Sequence, residues 1–274
     1  MTITEALAEG RAVLADVPGG VRDARWLLAA VLKIPRDRLT LERDRSLSPS
    51  EEAAFREMLA KRADRVPVSH LTGSRDFYGR SFVVTRDVLD PRPETEALIS
   101  AALEVPLVQV LDIGTGSGAI LLTLLAERKD ATGVGTDISI GALAIAEENA
   151  RRLAVAKRAR MVRSDWFSDV DDRYDLIVSN PPYIPAAEMA DLAPELGHEP
   201  RMALTDEGDG LASYRALFSG ASRHLAPGGR LIVEFGAGQG DDVAGIARGE
   251  GWADLEFRAD LDARPRVLIA KSPL

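Results

Sequence analysis

The sequence of 274 residues contains no cysteine and only three histidines, His70, His198 and His224. The lack of cysteine excludes disulfides, thiolate metal ligands and a cysteine nucleophile. The histidines are too far apart in sequence to form a local metal motif, so we expect no metal. No apolar run approaches the roughly 20 residues that a membrane helix needs, and residues 1–10 lack the pattern of a secretory signal. We therefore expect a cytoplasmic protein that does not bind a membrane.

The charged residues are distributed unevenly along the chain. The net charge is −9, but residues 1–75 carry 13 Lys and Arg against 11 Asp and Glu, which leaves 21 against 32 for residues 76–274. An acidic main body argues against tight binding to nucleic acid, because neutralised phosphates supply most of that affinity. We therefore expect no direct nucleic-acid partner.

Two kinds of apolar pattern divide the chain. Residues 1–65 show the periodicity of short helices and the spacing of capping boxes at Thr2 and, more clearly, at Ser48. Residues 67–72 are interpreted as a connector. Residues 77–88 are interpreted as a β-hairpin, with Tyr78-Gly79-Arg80 near its turn. From Leu107 onwards, strands and helices alternate, which predicts an α/β architecture with a mostly parallel sheet and helices on both faces. Ligands of such sheets bind beyond the carboxyl ends of the strands.

A glycine loop follows the first strand of this alternating region. The strand at residues 108–112 leads into the loop Gly114-Thr115-Gly116-Ser117-Gly118, and a helix follows. Glycines permit a sharp turn and close approach to a ligand, and the helix start offers free N–H groups. Asp137, at the end of the next predicted strand, can accept both hydroxyls of a ribose. The pattern predicts an adenosine-type cofactor but does not separate NAD from S-adenosylmethionine.

A second loop, Asn180-Pro181-Pro182-Tyr183, follows the apolar strand at residues 174–179. Its prolines have a fixed φ and no N–H, and each restricts the residue before it to extended conformations. The side-chain oxygen of Asn180 and the carbonyl of Pro181 can therefore converge as two acceptors on a planar NH2 group. The ring of Tyr183 offers a flat face beside that group.

Together the two loops resemble those of the S-adenosylmethionine-dependent amino-methyltransferases. The segments Arg92-Pro93-Glu94-Thr95-Glu96 and Asp165-Trp166-Phe167 narrow the resemblance to the protein-glutamine N5-methyltransferases, specifically the release-factor enzymes of the PrmC/HemK family. The resemblance covers essentially the whole chain. Two departures are visible, Asp90 where the family usually has an apolar residue and an altered loop at residues 260–266, and neither falls within these motifs.

The resemblance implies a Rossmann-like class I methyltransferase fold. This fold has a seven-stranded, mostly parallel sheet, a small N-terminal helical bundle and a linking β-hairpin. We place a helical substrate-binding domain at residues 1–70, the linker and hairpin at 71–95, and the methyltransferase domain at 96–274.

The resemblance also implies the site residues. The implied cofactor is S-adenosyl-L-methionine, which leaves as S-adenosyl-L-homocysteine. The residues expected to hold it are Gly114, Thr115, Gly116, Ser117, Gly118, Asp137, Asp165, Trp166 and Asn180. Those expected to hold the substrate are Asn180, Pro181, Pro182, Tyr183, Arg92, Pro93, Glu94 and Thr95. The first four of these are the expected catalytic residues. The implied substrate is the glutamine of the Gly-Gly-Gln motif in class 1 peptide-chain release factors, methylated on its side-chain nitrogen by a monomeric enzyme.

Alternative functions stay open at this point. A glutamine of a ribosomal protein is a close variant of the substrate. An adenine or guanine amino-methyltransferase shares the Asn-Pro-Pro-Tyr loop but needs a basic groove, which the acidic body disfavours. In a non-catalytic binding module or an NAD-dependent oxidoreductase, the Asn-Pro-Pro-Tyr loop would have no function. Outside the motifs, His198 and Glu199 are candidates for contact with a protein substrate, and Glu234 for packing or cofactor contact.

Overall fold

The computed structural model describes residues 1–105 and 107–272. They form two compact units. The helical unit comprises Met1–Ser74 and Ala193–His198, and the sheet unit comprises Arg75–Leu192 and Glu199–Leu274. The predicted domain at 96–274 includes three residues, Pro106, Pro273 and Leu274, that lie outside the described residues.

The helical unit is built from helices with strong local start signals. Thr2 with Glu5 and Ser48 with Glu51 form the two capping boxes that the sequence predicts, in which each cap side chain accepts the N–H of the glutamate and the glutamate accepts the N–H of the cap residue. Apolar side chains such as that of Phe55 fill the small core between the helices. The helices are α1 (Ile3–Val13), α2 (Gly20–Leu32), α3 (Arg38–Leu41), α4 (Pro49–Ala63) and α5 (Val68–Thr72).

The interpretation of residues 67–72 as a connector was wrong, because α5 occupies Val68–Thr72. Pro67 precedes its first turn, and Gly73, with a φ of +73°, ends it in the left-handed conformation that glycine tolerates. Five residues are too few for an apolar period to be visible in the sequence.

A two-stranded hairpin follows, made of β1 (Ser74–Phe77) and β2 (Arg80–Val83). Tyr78 and Gly79 connect the strands with φ values of +48° and +69°. Two positive φ values give a turn whose twist matches that of the strands it joins. The hairpin is confirmed, but it begins three residues before the predicted range of 77–88 and its second strand ends at Val83.

The main sheet has seven strands in the order β5-β4-β3-β6-β7-β9-β8. Only β9 runs antiparallel to its neighbours, β7 and β8, and the remaining pairs are parallel. This confirms the predicted seven-stranded, mostly parallel sheet of a class I methyltransferase fold. The strands are β3 (Gln109–Ile113), β4 (Thr132–Asp137), β5 (Ala159–Arg163), β6 (Tyr174–Ser179), β7 (Leu225–Glu234), β8 (Leu255–Ala259) and β9 (Pro265–Lys271).

Helices cover both faces of this sheet. Val110 and Leu111 are consecutive residues of β3, and each is buried in a different apolar cluster because side chains alternate along a strand. Among the described residues, no helix combines the length and apolar character that a membrane span requires. The helices of the sheet unit are α6 (Glu96–Leu103), α7 (Ala119–Glu127), α8 (Ile140–Arg152), α9 (Ala212–Ala221) and α10 (Gly240–Gly249).

The strand order reverses beside β3. From β3 the chain adds β4 and β5 on one side, and then β6 and β7 on the other. The carboxyl ends of β3 and β6, at Ile113 and Ser179, therefore border the crevice in which ligands of doubly wound sheets bind.

Candidate active site

The loop after β3 turns at two glycines that face open space. Gly114 and Gly116 have φ values of +71° and +55°, and a Cβ atom added to either would meet no atom within 4 Å. L side chains rarely adopt these φ values, so the turn needs glycine and presents bare backbone. Gly118 has a different role, because a Cβ there would lie 2.7 Å from Cδ1 of Leu122 in α7. It permits close packing at the start of that helix.

A buried carboxyl group folds this loop onto β3. Oδ2 of Asp112 accepts hydrogen bonds from the Thr115 hydroxyl at 2.7 Å and from the backbone N–H of Leu121 at 3.3 Å. Burial raises the pKa of Asp112 to about 7, and the Thr115 hydrogen bond opposes that rise. Asp112 therefore stabilises the conformation of the glycine loop through these two buried hydrogen bonds.

Asp137 ends β4 and joins the same loop from the neighbouring strand. Its Oδ2 accepts the backbone N–H of Gly116 at 3.0 Å, and its Oδ1 accepts that of Ser139 at 2.9 Å. Burial raises the pKa of this carboxyl, whereas the backbone hydrogen bonds lower it. Each carboxylate oxygen has a second lone pair, so Asp137 can also accept hydrogen bonds from a ligand.

The segment after β5 places an aromatic ring at the edge of the sheet. Trp166 has a φ of +51°, a conformation that is uncommon for a non-glycine residue. The Ser164 hydroxyl holds this turn by donating to the Trp166 carbonyl at 2.9 Å, and the Ser164 N–H donates to the Asp137 carbonyl at 3.1 Å. Asp165 and Trp166 are thereby tied to the end of β4.

Asn180 emerges from the end of β6, next to β3. The preceding residue, Ser179, is fully buried and donates its hydroxyl to the Ile113 carbonyl at 2.8 Å. The side-chain Nδ2 of Asn180 donates to Oγ1 of Thr95 at 3.2 Å. Thr95 belongs to the predicted Arg-Pro-Glu-Thr-Glu segment and is the last residue of the short 3-10 helix Pro93–Thr95. The structure therefore brings two of the sequence motifs into direct contact.

The remainder of the Asn-Pro-Pro-Tyr loop is held by its carbonyl groups. The Pro182 carbonyl accepts the Ser213 hydroxyl at 3.0 Å, and the Tyr183 carbonyl accepts Nε2 of Gln239 at 2.9 Å. The other end of the Gln239 amide accepts the Gly236 N–H at 2.9 Å. These contacts fix the path of the loop on both sides of the prolines.

Arg92 is paired with a glutamate from the loop that follows β6. Its guanidinium donates to Oε2 of Glu199, whose side chain is almost completely buried. Burial raises the pKa of Glu199 to about 7, while the nearby Arg92 lowers it. Glu199 therefore holds the segment at residues 92–95, which is expected to hold the substrate, in place. His198, its neighbour in sequence, has Nε2 3.3 Å from the Asp64 carbonyl within the helical unit.

Most of the predicted site residues line one cavity of about 290 Å³ in the sheet unit. Within the described residues, no group of three or more His, Asp or Glu side chains is arranged to hold a metal ion. The predicted residues that line the cavity are Arg92, Thr95, Gly114, Thr115, Gly116, Ser117, Asp137, Asp165, Trp166, Asn180, Pro181 and Pro182.

Four predicted residues are not among those that line this cavity: Pro93, Glu94, Gly118 and Tyr183. Tyr183 instead lines a neighbouring depression together with Gln239. Burial raises the pKa of the Tyr183 phenol to about 12, so the hydroxyl stays protonated near neutral pH. Tyr183 therefore lines this depression and not the cavity that holds most of the predicted residues.

The cavity also contains residues that sequence reasoning missed. Ile138 and Met202 line it with apolar surface, and 45% and 52% of their own surfaces are exposed to solvent. Asp87, Val88 and Pro91 add a further wall from the segment after the hairpin. The position of Ile138 directly after Asp137 was a usable signal, whereas Met202 has none in the sequence.

Comparison with protein families finds two matches that together span most of the chain. The family described as the PrmC N-terminal domain matches residues 5–73, and that described as the methyltransferase small domain matches residues 76–213.

Two curated relatives are similar over nearly the full length. A release factor glutamine methyltransferase of Cereibacter sphaeroides is 53% identical over 264 residues, which cover 96% of this chain and 95% of that protein. A release factor glutamine methyltransferase of Rhodospirillum rubrum is 43% identical over 265 residues, which cover 95% of this chain and 82% of that protein. Among solved structures, a methyltransferase from Pyrococcus furiosus shares the fold with a TM-score of 0.56, at 18% identity over 72% of this chain and 91% of its own.

Proposed function

The chain belongs to the release factor glutamine methyltransferase family, and on this premise we propose that it methylates peptide-chain release factors. The methyl group comes from S-adenosyl-L-methionine, and the acceptor is the side-chain nitrogen of the glutamine in the Gly-Gly-Gln motif of class 1 factors. The enzyme acts on protein rather than nucleic acid, in the cytoplasm, as a monomer.

One observation carries this proposal. The glycine loop after β3 and Asn180 after β6 come from adjacent strands and line the same cavity. The first loop suits a nucleoside cofactor, and the second suits a planar NH2 group. A cofactor and an amide substrate bound to these two loops would therefore meet in one place.

The residues of the cavity fit S-adenosylmethionine. The backbone at Gly114 and Gly116 borders space that a Cβ atom would enter, as expected for a loop that approaches a ligand closely. Asp137 offers carboxylate acceptors for ribose hydroxyls, and Ile138 and Trp166 offer apolar surface for a base. When bound, this cofactor supplies an electrophilic methyl group on a positively charged sulfonium.

The nucleophile is the harder part of the reaction, because the lone pair of an amide nitrogen is delocalised into its carbonyl. Oδ1 of Asn180 and the Pro181 carbonyl accept the two amide hydrogens and hold the nitrogen toward the methyl donor. As positive charge develops on that nitrogen, both acceptors bind it more strongly, which stabilises the transition state selectively. Correct positioning can lower such a barrier by about 7–11 kcal/mol.

The proton of the methylated amide leaves to water. Asn180 has no basic atom that could take it. Tyr183 is protonated near neutral pH because burial raises its pKa to about 12. Arg92, held by Glu199, and Thr95 form the wall of the cavity next to Asn180. The helical unit binds a second surface of the release factor.

A radiolabelled methyl-transfer assay tests the proposal. Unmodified release factor, its Gln→Ala variant in the Gly-Gly-Gln motif, ribosomal proteins and duplex DNA serve as parallel acceptors. We expect label in unmodified release factor alone. Equal labelling of the Gln→Ala variant would contradict the assigned glutamine, and label in ribosomal protein or DNA alone would contradict the substrate.

A further inference from the structure

Glu234 and Asn180 are neighbours across two strands. In the parallel pair of β6 and β7, Ser179 lies opposite Val233. Asn180 directly follows the last residue of β6 and Glu234 is the last residue of β7, so both stand at the carboxyl edge of the sheet. Since side chains alternate between the faces of a sheet, the two side chains leave on the same side. Glu234 is only 1% exposed, although it carries an ionisable group.

Thr95 completes a group of three polar side chains. It is 4% exposed, and its Oγ1 lies 3.2 Å from Nδ2 of Asn180. Burial raises the pKa of Glu234 to about 7, and hydrogen bonding from Thr95 and Asn180 counteracts part of that rise. Among the described residues, Oε2 of Glu234 has no hydrogen-bond partner. A buried carboxyl that is only partly satisfied costs stability, which calls for a functional reason.

The chemistry of the three groups determines how the Asn180 amide is turned. A hydroxyl such as that of Thr95 can donate or accept, so by itself it tolerates either orientation of the amide. An ionised carboxylate only accepts, and a protonated one keeps an accepting carbonyl oxygen, so Glu234 favours the NH2 group of Asn180 as the atom that faces it. Oδ1 then points away from Glu234 and Thr95. It is free to accept a hydrogen bond from the substrate.

We propose that Glu234 is a positioning residue for methyl transfer, which holds the Asn180 carboxamide with its oxygen toward the substrate amide. This inference rests on the proposed function. In the opposite orientation Asn180 would present an NH2 group to the NH2 group of the substrate, and two donors cannot bind each other. Glu234 acts through Asn180 and has no contact with the substrate itself.

Two substitutions at this position separate hydrogen bonding from charge. Glu234→Leu removes the acceptor, whereas Glu234→Gln keeps an acceptor oxygen and removes the charge. With release factor and cofactor saturating, we expect Glu234→Leu to lower kcat by about 10- to 100-fold, as for loss of a buried hydrogen-bond partner. We expect Glu234→Gln to stay within about 5-fold of wild type, and the dissociation constant of S-adenosylmethionine to change less than about 2-fold in both.

A double-mutant cycle with Asn180→Ala separates positioning from general damage. If Glu234 acts through Asn180, Glu234→Leu lowers single-turnover methyl transfer by less than about 2-fold in the Asn180→Ala background. A structural defect would instead lower the rate by the same factor in both backgrounds. Thr95→Val, which removes only the hydroxyl, provides a second variant, and we expect it also to lower kcat without weakening cofactor binding. Glu104→Leu serves as the matched control. Glu104 is an exposed carboxylate at the end of α6, far from Glu234 in the sequence.

The outcomes are distinguishable from failure of the proposed function. If the wild-type protein labels no release factor, the proposed function is wrong. If the wild type labels it and Glu234→Leu has the kcat of wild type, the positioning role is overturned. Equal rate losses of Glu234→Leu in both backgrounds overturn it too, as does a Glu234→Gln variant as slow as Glu234→Leu.

Discussion

The backbone N–H of Gly116 donates a hydrogen bond of 3.0 Å to Oδ2 of Asp137. This bond ties the glycine loop after β3 to the end of β4. The other carboxylate oxygen of Asp137 accepts the Ser139 N–H, which starts the following helix. One side chain therefore holds two backbone segments together at the border of the cavity while its remaining lone pairs can serve a ligand.

Removal of this carboxylate tests its double role. We expect Asp137→Ala to raise the dissociation constant of S-adenosylmethionine by about 10- to 100-fold, the effect of losing hydrogen bonds to a charged group. Isothermal titration calorimetry measures the constant directly. Asp130→Ala, an exposed carboxylate in the turn before β4, should bind as wild type does. An affinity of Asp137→Ala within 2-fold of wild type would contradict the assignment.

Asn180 should matter for transfer rather than for cofactor binding. We expect Asn180→Ala to lower kcat by at least about 100-fold, because both the amide acceptor and its alignment are lost. The dissociation constant of the cofactor should change less than about 3-fold. Steady-state assays on release factor and calorimetry on the cofactor check the two parts. Full turnover by this variant would refute the amide-binding scheme.

Two glycines of the same loop should respond differently to alanine. Gly116 faces open space, so Gly116→Ala should cost only about 1–2 kcal/mol of stability for its positive φ, yet weaken cofactor binding because the methyl enters the cavity. Gly118→Ala would place Cβ 2.7 Å from Leu122, and we expect a larger loss of about 2–4 kcal/mol. Thermal unfolding and cofactor titration of both variants make the comparison. A larger loss of stability in Gly116→Ala than in Gly118→Ala would contradict this prediction.

Glu234 should also make the stability of the protein depend on pH. Burial raises its pKa from 4.5 to about 7, so between these values the folded protein keeps a proton that the unfolded chain has released. The contribution of this group to the free energy of unfolding therefore falls as the pH rises from 4.5 to 7. The full difference amounts to roughly 3 kcal/mol. Four other ionisable groups influence this carboxyl: Glu94, Tyr183, Tyr214 and Arg266.

Comparison with Glu234→Gln isolates that contribution, because the amide does not titrate. We expect the variant to be more stable than wild type at pH 8 and nearly equal to it at pH 5. Urea unfolding at both pH values gives the two differences, with Glu104→Gln as an exposed control. A stability difference that is the same at pH 5 and pH 8 would show that this carboxyl does not titrate in the window.

Much of the fold could be predicted because its signals are local. The capping boxes at Thr2 and Ser48, the turn at Tyr78 and Gly79, and the alternation after Leu107 each lie within a few residues of the structure they specify. The helix Val68–Thr72 was missed because one turn is too short to show a period.

The sequence by itself determined the parts of the site in which neighbouring residues act together. The glycine loop, Asp137 at a strand end and the proline-constrained loop after β6 owe their shape to backbone preferences that hold in any fold. For that reason their chemistry could be predicted before any distance was known.

Only the tertiary structure decided which distant residues complete the site. The contact of Asn180 with Thr95, the burial of Glu234 beside them and the pairing of Arg92 with Glu199 join segments separated by 54 to 139 residues. The place of Tyr183 in a neighbouring depression was decided in the same way. These relationships depend on strand order and register, which set which chain segments meet and leave no mark on the local sequence.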